Sequence, residues 1–350
     1  MNFSCENFNT FTSNKWDKIV NSFDGSTFLH SSIIINYLCA FNKDTRNLSF
    51  LIKDDESNYV AAVVLAVSRN KKKNSLSFYD YTCPIPALAK SNKSKRIKLY
   101  DFIWEKIREI ADEYKVNELK FKLYPINNYS INNNMISSVN TFESVKYLPK
   151  IDVVNNLILS LKKSDAELND NLSKYRRKDI KKSIKNNIKI DIIDNKNTKN
   201  IKYEMDKFRT AHLEAAGRIT RPIETWNYME LALRRDMAQL FIAKKENDTI
   251  SYLFCGKYRK SAWGWSQVNK KKFEKETPIR HYLEWFAINY FKSNGFIFYD
   301  IGERFFLNSF SSISKKELSI SEFKEKFGAE MYPVISFQSI KDHIKTIFKK

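Results

Sequence analysis

One order of elements occurs twice in this chain of 350 residues, and it limits the fold more than any other feature. In the first half LSFLIKDD, YVAAVVLAVSR and SLSFYDYT read as successive strands, split by the turn-like DESN and NKKKN. After the loop CPIPALAKSNKS comes an amphipathic helix from about Arg96 to Tyr114, in which Ile97, Tyr100, Ile103, Trp104, Ile107 and Ile110 keep helical spacing. NELKFKLYP is the strand that follows. The second half repeats the order. AQLFIAKK, TISYLFCGKY and SAWGWSQVN are three strands joined by END and RK, and a helix then runs from Pro278 to about Lys292. Thr277 is read as its N-cap, Pro278 as its first residue and Asn294-Gly295 as its stop. FIFYDIG is the closing strand.

Two copies of meander, helix and strand predict an α/β (α+β) protein made by internal duplication. NKWDKIVNSF and SSIIINYLCAF are short helices ahead of the first copy, and the asparagine-rich INNYSINNNM is read as a loop. The domains are expected at 1–158 and 159–350.

Composition agrees with two globular cores: 43% of the residues are hydrophobic and 14% aromatic, too many for a disordered chain. The four cysteines are scattered, with no CxxC pair and no histidine at zinc-ligand spacing, so reduced thiols, a cytoplasmic location and no metal site are expected. The start MNFSCENFNT has no signal-peptide pattern, and VAAVVLAV is too short to span a bilayer.

The charge is unevenly spread. Lys and Arg number 60 against 40 Asp and Glu, for a net +20, and residues 161–350 hold 39 of the basic and 24 of the acidic ones. Such a field favours polyanions: RNA, nucleotides or an anionic membrane surface. Its densest part is a basic linking helix expected over 166–189, with an apolar stripe of Leu168, Leu172, Tyr175, Ile180 and Ile184. Lys174, Arg176, Arg177 and Lys181 are its candidate contacts to phosphate or tRNA; the plain alternative is a solvated face.

Five segments resemble one family in its order along the chain: WDKIVNSFDGSTFLHSS, LSKYRRKDIKKSIKNNIKI, HLEAAGRITRPIETW, PIRHYLEWFAINYFKSNGFIFYDIGE and FKEKFGAEMYPV. They are similar to the FemAB family of peptidoglycan-bridge aminoacyltransferases, whose fold is two tandem GNAT-like acyltransferase domains. The resemblance implies transfer of an acyl or aminoacyl group to an amine of a cell-envelope precursor, lipid- or nucleotide-linked. It implies an acyl donor, either aminoacyl-tRNA or acyl-CoA, and no tightly bound cofactor. Peripheral contact with an anionic membrane fits the charge.

Aminolysis of an ester or thioester needs a donor to the developing oxyanion and a group that takes the proton of the attacking nitrogen. In a GNAT domain the donor lies where two parallel strands part, with its phosphates at the next helix start. On the second copy this places Asp300 and Glu303 at a strand end and His281 and Arg280 at the helix start. Lys270, Lys271 and Lys272 lie in a donor loop without glycine, which disfavours coenzyme A. Lys324, in FKEKFG, matches a lysine that the family repeats. Asp300, Glu303, Lys324 and His281 are therefore the candidate catalytic residues.

Within AAGRITRP, Arg218 and Arg221 follow a glycine suited to positive φ, and each can grip a phosphate or carboxylate in bidentate fashion. With Trp226 as a stacking surface, and with Arg280 at the helix start, they are the candidate substrate-binding residues; a capped helix with surface arginines is the plain alternative. Two further functions stay open: an acyl-CoA-dependent N-acyltransferase of an amino sugar, and a non-catalytic RNA- or membrane-surface-binding protein.

Overall fold

The computed structural model describes residues 2–70, 73–79, 81–136, 150–196, 200–270, 272, 278–306 and 313–340, apart from the side chains of residues 70, 339 and 340. The chain divides into two compact units, residues 1–153 with 334–350, and residues 154–333.

The first unit contains β1 (Ser4–Asn7), α1 (Ser13–Val20), α2 (Ser32–Cys39), β2 (Arg46–Asn47), β3 (Phe50–Lys53), β4 (Tyr59–Val63), β5 (Ala66–Asn70), β6 (Lys73–Leu76), β7 (Cys83–Pro84), β8 (Ala87–Leu88), α3 (Lys93–Glu113), β9 (Val116–Leu123) and α4 (Asn128–Asn132). Its sheets run β1-β3-β4-β8 and, from one edge, β2-β5-β6-β9. YVAAVVLAVSR is thus two strands in two sheets, not one. Where the hairpin changes sheet, Ser49 Oγ accepts from Leu65 N at 3.0 Å. Helix α3 crosses between β6 and β9, which pair in parallel, and buries Tyr100, Ile103, Trp104, Ile107 and Ile110. Ile97 stays exposed, and Leu99 is buried in its place.

The asparagine-rich segment is not a plain loop. Asn127 Oδ1 accepts from Ser130 N at 2.9 Å and starts α4, while buried Asn128 donates to Phe23 O at 2.8 Å. Short amides act here as caps and cross-links rather than as solvated turn residues.

His30 is fully buried. Its Nδ1 accepts from Thr27 N at 3.2 Å and its Nε2 lies 3.0 Å from Ile85 O, so the ring is held neutral with the proton on Nε2. Burial lowers its pKa to about 4, against the pull of those two backbone partners. The unfolded chain therefore takes up a proton between pH 6.5 and about 4 that the folded chain does not. We expect the urea midpoint to fall as the pH drops through that window, and His30→Gln to fall less steeply.

The chain enters the second unit along β10 (Lys150–Ser160) and returns to the first along β16 (Glu330–Ile340), whose end pairs with β9. Between them lie α5 (Asp165–Asn171), α6 (Lys174–Lys185), β11 (Lys189–Ile193), α7 (Ile201–Ala216), α8 (Ile223–Arg234), β12 (Ala238–Lys245), β13 (Asp248–Tyr258), β14 (Ser261–Asn269), α9 (Ile279–Ser293), β15 (Phe298–Arg304) and α10 (Lys315–Glu325). The sheet order is β11-β12-β13-β14-β15-β10. Every pair is antiparallel except β14 with β15, which α9 connects by a crossover. The duplicated order is present: each unit sets a strand, a long helix and a parallel strand after an antiparallel run.

The expected single helix over 166–189 is two helices. Leu172 is extended at ψ 139°, and Ser173 restarts the helix by accepting from Arg176 N at 3.2 Å. The break re-aims the stripe: Leu168, Leu172 and Ile180 are buried, but Tyr175 and Ile184 face solvent, and α6 turns Arg176, Ile180 and Ser183 inward. Helix α9 begins at Ile279, one residue later than expected, with Pro278 in the cap position; Thr277 lies outside the described residues.

Candidate functional site

Strands β14 and β15 pair only over Ser261–Phe298, Ala262–Tyr299 and Trp263–Asp300. Beyond that point β14 stays with β13 while β15 pairs with β10, so the two parallel strands part. A β-bulge sits at the parting: Cys255 faces Gly264 and Phe254 faces Ser266, leaving Trp265 as the extra residue. The opening holds a cleft of about 240 Å³, lined on β14 by Gly264 to Gln267, on α9 by Arg280 and Glu284, and on α10 by Phe323 and Lys324.

Two features set the chemistry of this cleft. The first is Lys324, whose ammonium lies over Gly302 at the end of β15. Gly302 has φ +110°, which L-residues avoid, and a Cβ there would collide with Lys324 Nζ. The backbone conformation is what requires glycine, and a Cβ would also push the lysine's flexible tip aside. The second feature is Glu284, buried in the apolar face of α9. Its Oε1 accepts from Tyr299 O–H at 2.7 Å, and burial pushes its carboxyl pKa up although Tyr299, Lys324, Arg280 and Arg176 favour the charged form.

No protein-family model matches the sequence, and no curated protein matches it. Solved structures do. The crystal structure of FemX matches with TM-score 0.65 at 12% identity, covering 100% of both chains. L-PGS from Bacillus licheniformis matches at 0.59 and 11% identity over 93% of this chain and 91% of that one. A tandem GNAT protein from the clavulanic acid biosynthesis pathway matches at 0.55 and 11% identity, over 97% of this chain and 98% of its own.

The chain has the tandem GNAT fold. The strand parting of its second GNAT unit holds two of the residues expected there, Lys324 and Arg280. It does not hold the others. Asp300 is buried on β15, where Oδ1 accepts from Gly302 N at 2.7 Å and Oδ2 from Asn156 Nδ2 at 2.8 Å. Its carboxylate shapes the strand end and is not part of the cleft lining. Glu303 stands opposite Asn156 in the β10–β15 register, also away from the lining. His281 turns toward α6: Nδ1 is 2.9 Å from Asp179 Oδ2 and the ring is 5.0 Å from that of Phe323. Burial first, then the Arg176 charge, lower its pKa to about 4.

The expected phosphate contacts separate in the same way. Lys174 and Lys181 are exposed on α6. Arg176 is 3% exposed, its guanidinium 4.5 Å and 4.6 Å from the Phe323 and Phe327 ring centroids, and it donates to Phe323 O at 3.0 Å. Arg177 Nη1 donates to the carbonyls of Asn169, Asp170 and Leu172, the free end of α5. Both arginines are engaged within the fold, Arg176 out of solvent and Arg177 half-buried. In the loop after β14 Lys272 is exposed, 4.0 Å from Asp248 Oδ2, and Lys271 lies outside the described residues.

AAGRITRP joins α7 to α8. Gly217 is left-handed at φ +66°, with its N–H on Leu213 O at 2.8 Å, so the glycine ends α7 as an αL cap. The segment also walls a pocket of about 320 Å³ with Arg209, His212, Arg218, Arg221 and Trp226. Arg218 is exposed, whereas Arg221 packs 5.0 Å from the Trp226 ring centroid and donates to Ser266 Oγ at 3.2 Å. His212 Nε2 lies 3.0 Å from the same oxygen. Ser266 also lines the cleft, so it links the arginine pocket to the strand parting.

Glu284, Tyr299 and Gly264 were not read from the sequence. The available signal was a glutamate inside an apolar face: Ile279, Leu283, Ala287, Ile288 and Phe291 surround position 284 at helical spacing.

Proposed function

We propose that the protein is an acyltransferase that moves an acyl or aminoacyl group from a carrier to an amine, with the cleft between β14 and β15 as its reaction site. The observation that carries this reading is the strand parting with Lys324 laid across Gly302 inside it. A fixed cation there suits the oxyanion that forms when an amine attacks an ester or thioester carbonyl. Aminoacyl-tRNA is the favoured donor over acyl-CoA because the loop after β14 has no glycines to cradle a pyrophosphate.

The acceptor in this reading is an amine of a cell-envelope precursor that also carries phosphate or carboxylate, held by Arg218, Arg221 and Trp226. The exposed Lys174 and Lys181 serve the carrier RNA. No helix among the described residues is long and apolar enough to cross a membrane, which suits a precursor presented in solution or at a membrane surface.

The test is a thermal-shift and transfer panel with alanyl-tRNA, acetyl-CoA and UDP-amino sugars. A native-state ligand raises the melting temperature, and no shift and no transfer with any of them would sink the reading. On the same assay Arg218→Ala should raise KM for an anionic acceptor about tenfold at unchanged kcat and melting temperature, the loss of one charged hydrogen bond. Arg221→Ala should also lower the melting temperature, because it loses its contacts with Trp226 and Ser266. A folded double variant with full activity would remove the arginine pocket from the proposal.

A further inference from the structure

Glu284 is a carboxylate in an expensive place. It is 5% exposed, on an otherwise apolar helix face, and an apolar residue there would fold at lower cost. Its surroundings form a chain: Tyr299 O–H donates to Glu284 Oε1, and Cys255 Sγ lies 3.4 Å from the Tyr299 oxygen, placed to donate in turn. What separates this chain from the cleft is Gly264. A Cβ at 264 would stand 3.6 Å from Glu284 Oε1 and 3.7 Å from Tyr299 Oη, in ordinary contact with both. Any side chain there would roof the carboxylate; glycine leaves it open to the cleft that Lys324 and Arg280 also line.

We propose that Glu284 takes the proton of the attacking amine through the opening left by Gly264, an assignment that rests on the acyltransferase reading above. The amine lone pair forms the new C–N bond, and the nitrogen proton passes to the Glu284 carboxylate. When the C–O bond of an ester donor or the C–S bond of a thioester breaks, that proton passes to the leaving oxygen or sulfur. The carboxylate is restored, with no net proton or electron consumed. Lys324 on the other side of the cleft faces the acyl oxygen, so base and oxyanion donor come from α9 and α10 respectively. Tyr299 fixes the carboxylate by occupying one oxygen. Burial keeps Glu284 a better base than a surface carboxylate, with Tyr299, Cys255, Lys324, Arg280 and Arg176 as the titratable and charged groups around it.

Two variants of the full chain test this. Glu284→Gln keeps an acceptor for the Tyr299 O–H and removes the base; kcat should fall about 10²- to 10⁴-fold, with donor KM little changed and the acid limb of the pH profile lost. Gly264→Ala should lower kcat while keeping the melting temperature. Wild-type kcat and an unchanged pH profile in Glu284→Gln would overturn the assignment. A second measurement needs no turnover: labelling with a carbodiimide and glycinamide should modify Glu284 in the folded protein and fail in Gly264→Ala. An unlabelled Glu284 in the wild type overturns the opening whatever the assay shows. If the wild type labels but transfers from neither alanyl-tRNA nor acetyl-CoA, it is the acyltransferase reading that fails.

Discussion

Replacing Lys324 with methionine should lower acyl transfer about 10²- to 10³-fold, the usual cost of losing one oxyanion donor, while the donor still binds. Methionine keeps the unbranched stem that packs across Gly302 and removes only the charge, so the fold should hold. The position of that charge depends on Gly302 as much as on Lys324. Gly302→Ala places a Cβ on the lysine's ammonium and strains a backbone at φ +110°, at about 1–3 kcal/mol. Its transfer rate should fall nearly as far as in Lys324→Met. Combining the two should cost hardly more than either, because both remove one interaction. Steady-state kinetics on the single and double variants check this: independent, multiplying effects would show that Lys324 and Gly302 do not act as a unit. Full activity in Lys324→Met would take the lysine out of the reaction.

That pairing shows what sequence reasoning could reach here. YDIGE and FKEKFG were each recognisable, and so was the strand, helix, strand order that brings their ends together. Their meeting was not visible, because it depends on α10 folding back onto β15. Periodicity located α3 and α9 and the strands from β12 to β15. It failed where the backbone changes direction beside a serine: one expected strand passes between two sheets next to Ser49, and one expected helix is interrupted at Leu172 and capped again by Ser173. The second break also changes which basic residues face solvent, since a restarted helix presents a different face: Arg176 turns inward while Lys174 and Lys181 stay exposed. Asp300 reads as a strand-end carboxylate in the sequence, but Asn156 and the Gly302 N–H, which hold it, come from a distant strand and a local bend that spacing does not disclose. Glu284 is hidden for the opposite reason: a charge on an apolar helix face breaks the pattern without announcing that it is buried.

The same break in the basic helix leads to the largest expected stability effect. Arg176→Ala should destabilise the protein by about 2–5 kcal/mol, the range for emptying a packed buried site. The side chain fills the space between the Phe323 and Phe327 rings and donates to Phe323 O, so it pins α6 to the end of α10, the helix that carries Lys324. Desolvation already lowers the guanidinium pKa to about 10, and its Nε is buried with no hydrogen-bond partner among the described residues. Much of the charge is therefore carried at a cost, and Arg176→Met, which keeps the volume between the rings, should lose far less than alanine. Urea unfolding orders the two variants, and a methionine variant as unstable as alanine would mean that charge, not packing, holds α10. Activity should follow stability in this series, because a loosened α10 misplaces Lys324. RNA binding separates Arg176 from its neighbours: Lys174→Ala and Lys181→Ala should each reduce the salt slope of affinity by about 1, while Arg176→Met leaves it unchanged. A reduced slope in Arg176→Met would mean that the guanidinium reaches phosphate after all, which its place between two phenylalanine rings forbids unless α6 lifts away.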